Sequence, residues 1–136
     1  MFKIIPFLFI LLNLPPAQGT EASSVRVVNR VNNSTDEIKT LDNLRGVYVS
    51  VNDVSRILSA RKPYINAERL KMVIYLGNNR LKISGNSSYV LVDERVYQIP
   101  SYAIWNNDDI YVQAEAFFNL IRETTMPGIG YDSRRM

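Results

Sequence analysis

The chain has 136 residues, 46% hydrophobic and 21% charged, with six Gly, six Pro and a formal net charge of +3. This is a globular composition, with enough chain for one modest core, and it excludes disordered and fibrous classes. With no His and no Cys, the usual ligands of zinc, copper and iron–sulfur centres are missing, as are Ser-His-Asp and Cys-His nucleophile arrangements; the reading is non-catalytic, with no metal and no cofactor.

Lys3 leads into an apolar run from Ile4 to Leu14, followed by Pro15-Pro16 and Ala17-Gln18-Gly19. A basic start, a short apolar run and small residues at Ala17 and Gly19 read as a signal peptide over 1–19, cleaved before Thr20. The run is interrupted by Pro6 and falls short of the roughly 20 apolar residues that cross a bilayer. The expected location is therefore secreted or periplasmic, at the cell envelope, with no membrane attachment after cleavage. Removing Lys3 leaves 15 basic and 13 acidic residues, a net charge of +2. These are mixed along the chain without a basic stripe, which argues against a nucleic-acid partner.

Residues 20–136 read as a single α+β domain. Val25 to Val31 (VRVVNRV) has the β-branched content of a strand, and the turn formers Asn32 to Asp36 read as a loop. Val47 to Val51 (VYVSV) is strand-like and passes directly into a helix with Val51, Val54, Ile57 and Leu58 on one face. Ser50 with Asp53 resembles a capping box, and Pro63 bars continuation. Leu70, Met72, Ile74 and Leu76 alternate up to Gly77-Asn78-Asn79, and Leu81 and Ile83 resume the alternation beyond it, predicting a β-hairpin. A second hairpin is predicted over Tyr89 to Ile99, reversing at Asp93-Glu94 and ended by Pro100. Trp105 to Asp109 reads as a polar turn led by one aromatic, Ile110 to Val112 as a strand, and about Ala114 to Arg122 as a helix.

The strand-to-helix unit occurs twice, offset by 63 residues from Val47 to Ile110. Val47-Tyr48-Val49 matches Ile110-Tyr111-Val112, and Val51, Val54, Ile57 and Leu58 fall on Ala114, Phe117, Leu120 and Ile121. Pro63-Tyr64-Ile65 lines up with Pro127-Gly128-Ile129 after one inserted residue, and Glu68 with Asp132. The first copy continues into the strand at Leu70 to Leu76, whereas the second stops at Met136. The expected fold is thus two pseudo-repeated strand–helix units with β-hairpins between them, the second truncated or completed by a strand from elsewhere.

This order of elements, carried by GVYVSVNDVSRIL and DDIYVQAEAFFNLI, resembles the copper amine oxidase-like N-terminal domain, a two-unit α+β module of exported bacterial proteins. Where that family reads Pro-Leu-Arg at the helix start, this chain has Ser50-Val51-Asn52 and Gln113-Ala114-Glu115. The middle segment YLGNNRLKISGNSSYVLVDERVYQIP is most similar to versions that precede a zinc-dependent N-acetylmuramoyl-L-alanine amidase domain. The resemblance implies a peptidoglycan-associated accessory module, and without His it implies no copper site.

Tyr64, Tyr89, Tyr97, Tyr102 and Trp105 suit either an aromatic platform for sugar rings or ordinary sheet packing. The candidate binding residues are Tyr102 and Trp105, with Asn106 and Asn107 as hydrogen-bonding neighbours in the polar turn; for Trp105 the alternative is a lid over the core edge. The pairs Asp93-Glu94 and Asp108-Asp109 fit turn chemistry rather than acid–base or calcium sites. Arg134-Arg135 reads as a solvated tail. The function expected is binding of envelope polysaccharide, peptidoglycan above all. The alternatives are docking onto a separate envelope protein through an open sheet edge, or an N-terminal fragment of a peptidoglycan amidase.

Overall fold

The structure is a computed structural model and describes residues 22–30, 32–43, 46–59 and 61–132. The leader read at 1–19, Leu44 and the Arg134-Arg135 tail lie outside the described residues. In chain order the elements are β1 (Ala22–Asn29), β2 (Ser34–Asn43), β3 (Gly46–Ser50), α1 (Val51–Leu58), β4 (Tyr64–Asn66), β5 (Lys71–Leu76) and β6 (Asn79–Ser84). They continue with β7 (Tyr89–Val92), β8 (Arg95–Gln98), β9 (Ile104–Trp105), β10 (Ile110–Gln113), α2 (Ala114–Thr124) and β11 (Ile129–Asp132). The fold is α+β. One antiparallel sheet has six strands in the order β11-β1-β2-β3-β10-β9, and the other is a five-stranded meander, β4 to β8.

The meander is set by its turns. Leu76 pairs with Asn79 across Gly77-Asn78, and Gly77 at φ +59 supplies the positive φ that a type II′ turn needs at its first central position. Val92 pairs with Arg95 across Asp93 (φ +47) and Glu94 (φ +75), both left-handed as in a type I′ turn. Both predicted hairpins are therefore present. Alternation turns Met72, Ile74, Leu76, Leu81, Ile83, Val90 and Val92 to one face, where they join a single core with Val49, Val54, Ile110, Val112, Phe117, Phe118 and Ile121. Each such side chain contributes roughly 1.5–3 kcal/mol on full burial.

β2 corrects the loop read at Asn32 to Asp36. Asn33 is left-handed at φ +56, and the Asn32 side-chain oxygen accepts the Ser34 N–H at 3.1 Å, so the reversal is complete by residue 33. From Ser34 the chain pairs with β1, from Asn29↔Ser34 to Ala22↔Leu41. A strand partner overrides the turn propensity of Ser, Thr and Asp here. The strand read at Val25 to Val31 correspondingly runs over Ala22–Asn29.

Both helices begin directly after a strand, and each is capped from the residue before it. Ser50 Oγ accepts the Asp53 N–H at 3.0 Å, and the Gln113 side chain accepts the Ala116 N–H at 3.0 Å. The Asp53 carboxylate pairs with Arg56 at 3.2 Å. Of the eight helix residues expected in the core, Val51, Val54, Ala114, Phe117, Leu120 and Ile121 are buried; Ile57 and Leu58 are half-buried, and Ser55 is buried beside them. β3 and β10 pair antiparallel through Ser50↔Tyr111, Val49↔Val112 and Tyr48↔Gln113. After α2, β11 pairs with β1 from the other end of the chain, Asn29↔Ile129 through Arg26↔Asp132.

Candidate functional site

The inward alternation of the meander fixes what its other face presents. Across the five strands the register sets Tyr64, Val73, Lys82, Leu91 and Val96 in one row. Beside it lie Asn66↔Lys71↔Ser84 and Tyr89↔Gln98, and then Tyr75↔Arg80. Tyr64 (59%), Tyr89 (49%) and Val96 (62%) are strongly exposed. The Arg61 guanidinium lies 3.8 Å from the centre of the Tyr75 ring, a cation–π contact at the margin of the same face. The five strands carry Lys71, Arg80, Lys82 and Arg95 and no Asp or Glu. The face is thus partly apolar and carries the cations Lys71, Arg80 and Lys82 with no strand acid among them; Arg95 pairs with inward-facing Val92 and belongs to the other side.

Tyr102 sits at a corner of this face. It is 60% exposed and lines a shallow cleft of about 220 Å³ with Ser88, Gln98, Pro100 and Ser101. Gln98 belongs to both the cleft and the outer face. Trp105 has a different setting from the exposed turn read in the sequence. It ends the short strand β9, where Ala103 is buried, Ile104 exposed and Trp105 half-buried against the core. A Cβ on Gly85 would come within 2.8 Å of the Trp105 Cβ, so that position requires glycine if Trp105 is to lie over the core edge. Tyr102 and Trp105 therefore fall on opposite sides of their segment and do not form one platform. Tyr97 is half-buried against the core.

Asn106 and Asn107 are exposed, and backbone geometry accounts for them. Asn106 N–H donates to the Asp109 carbonyl at 2.9 Å, and Asp109 N–H to the Asn106 carbonyl at 3.1 Å. Between them Asn107 (φ +51) and Asp108 (φ +59) make a type I′ reversal joining β9 to β10. Asp109 has a structural task. Its carboxylate accepts from the Ser50 hydroxyl, from the Asn52 N–H at 3.1 Å and from the Ile110 N–H at 2.7 Å, tying this turn to the start of α1. Burial raises its pKa above the ordinary carboxylate value, and the three hydrogen bonds partly offset that rise. The Asp93 carboxylate likewise belongs to its turn, accepting from the Arg80 N–H at 2.9 Å and from the Asn79 amide, and the first of these bonds leads in lowering its pKa.

A second concavity of about 430 Å³ runs along α1, bounded by Asn52, Asp53, Arg56, Arg61 and Lys62, with the Ser55 hydroxyl buried beside it and without a hydrogen-bond partner. Arg56 and Arg61 are engaged with Asp53 and Tyr75. Among the described residues no group of three or more His, Cys, Asp or Glu side chains is arranged to hold a metal ion, and no helix is long and apolar enough to cross a membrane. No protein-family model matches the chain, and no curated protein or solved structure does so.

Proposed function

We propose that the chain is a non-catalytic accessory module of the cell envelope that binds glycan, peptidoglycan being the first candidate, through the outer face of β4 to β8 and the adjoining Tyr102 cleft. The observation that carries this reading is the exposure of Tyr64, Tyr89 and Tyr102 on and beside one sheet face. A tyrosine ring buries the apolar face of a sugar while its hydroxyl stays solvated. The apolar segment Ile4 to Leu14, read as part of a signal peptide, gives such a module an extracytoplasmic setting. The test is sedimentation of the protein with purified peptidoglycan. Tyr89→Ala with Tyr102→Ala should weaken binding at least tenfold, about 1.4 kcal/mol, with circular dichroism unchanged. Absence of binding by the parent protein refutes the proposal.

The same reading holds that β3-α1-β4 and β10-α2-β11 are two copies of one unit, as in the copper amine oxidase-like N-terminal domain that the sequence resembles. Under the 63-residue offset Tyr48 corresponds to Tyr111, Val49 to Val112 and Ser50 to Gln113. The observed pairs Ser50↔Tyr111, Val49↔Val112 and Tyr48↔Gln113 are then symmetric about Val49–Val112. In this scheme β1 is to β11 what β5 is to β4. A protein-docking role is favoured by one feature, the exposed Val96 on edge strand β8.

A further inference from the structure

We infer that the ligand of the outer face is a polyanionic glycan, a sugar polymer bearing phosphodiester or carboxylate groups, selected by Lys71, Arg80 and Lys82; this rests on the glycan-binding reading above. The three cations run in a line along the neighbouring strands β5 and β6. Arg80 and Lys82 stand two residues apart on β6, roughly 7 Å along the strand. Lys71 lies on neighbouring β5, diagonal to Lys82, because Lys82 pairs with Val73 and Lys71 with Ser84. Tyr64 and Tyr89 stand on either side of this group, on β4 and β7.

The usual structural reason for lysine on a sheet does not account for them. Charges that guard a sheet against aggregation sit on edge strands, and here the edges are β4 and β8, whose outward residues are Tyr64, Asn66, Val96 and Gln98. The cations instead occupy β5 and β6, interior strands. Ordinary protein surfaces also intersperse both signs, whereas no strand of this sheet contributes an acid. Asp93, beside the start of β6, accepts from Asn79 and from the Arg80 N–H and is also attracted by the Arg80 charge. Arg80 thus has one acid near it, while no strand acid faces Lys71 or Lys82. A neutral glycan would leave the Lys71 and Lys82 ammonium groups without charged partners on contact, while a polymer with spaced negative charges supplies them. Single-stranded nucleic acid offers the same charge, but a chain of net charge +2 beyond residue 19, with a leader-like start, is suited to an extracellular polymer.

The experiment is affinity electrophoresis of the purified protein in gels containing polygalacturonate, poly(glycerol phosphate) or neutral dextran, with single-stranded DNA as a fourth arm. Retardation at least tenfold stronger in one of the charged glycans than in dextran is expected, and the arm that responds identifies carboxylate or phosphodiester as the recognised group. Binding should fall with salt at a log–log slope of roughly −2 to −3, a measure that needs no variant. Lys71→Gln with Lys82→Gln should lower affinity tenfold and flatten that slope, whereas Tyr89→Ala should lower affinity and leave the slope unchanged. Equal, salt-independent binding to dextran overturns this inference and leaves the glycan reading standing. Retardation by no glycan overturns this inference, and together with failure to sediment with peptidoglycan overturns the glycan reading as well; DNA binding tighter than to any glycan overturns the choice of ligand.

Discussion

Replacing Trp105 by alanine separates a core role from a ligand role. Trp105 is half-buried over Gly85 at the edge of the core. A tryptophan buries up to about 250 Å², and with somewhat more than half of that withdrawn from water at about 25 cal/mol per Å², the loss is about 3 kcal/mol. For a domain of this size the urea midpoint should fall by about 2 M. The substitution removes the only tryptophan in the chain, so unfolding must be followed by far-ultraviolet circular dichroism rather than by indole fluorescence. Peptidoglycan binding per folded molecule should stay within about twofold, because peripheral contacts contribute little. An unchanged midpoint together with a tenfold loss of binding would refute this reasoning and restore Trp105 as a ligand anchor.

Glu94→Gly should stabilise the protein by about 1 kcal/mol in urea titration, since Glu94 holds φ +75 at the second central position of a type I′ turn where glycine is unstrained. Phe117→Ala, at a fully buried position on α2, should cost about 3–4 kcal/mol and lower the thermal midpoint by roughly 15 °C in calorimetry. The raised pKa of Asp109 means that the folded state holds its proton more tightly than the unfolded chain does. Its contribution is therefore full below the unfolded value of 3.8 and is lost as pH rises through the raised folded value. The stability difference between the parent and Asp109→Asn, measured by urea titration across that window, should shift against the parent as pH rises; a shift in the opposite direction would contradict the assignment.

The elements most legible in the sequence were those with local punctuation. Gly77-Asn78 and Asp93-Glu94 stand between alternating runs, and both hairpins formed where those residues predict them. β2 was not legible because STDEIKTLDN has Ile38 and Leu41 as its only aliphatic residues, and one of its inward positions is the buried Thr40. Its strand character comes from β1 and β3 on either side, a non-local cause. The outer face escaped notice for a similar reason. Tyr64, Lys82 and Val96 are far apart in the chain, and only the cross-strand register brings them into one row. For Trp105 the sequence left a ligand contact and a lid over the core edge both open, because two residues of β9 are too few to show alternation beside so polar a turn; the half-buried setting against the core matches the lid.

The pairing of β11 with β1 sets an order of events in folding. Arg26 and Asp132, 106 residues apart, lie opposite each other in the six-stranded sheet, whereas two-residue reversals close β5 to β6 and β7 to β8. Bringing the distant strands together costs about 2–3 kcal/mol more in loop-closure entropy than closing such a hairpin. Local contacts form first when that difference must be met before any distant pairing is rewarded. The meander therefore gains protection early, and pulse-labelled amide exchange would record β5 and β6 ahead of β1 and β11. The tyrosine- and lysine-bearing face is then in place before the two ends of the larger sheet have met, so partly folded chains already carry the surface on which capture of a glycan, if the proposal holds, would depend.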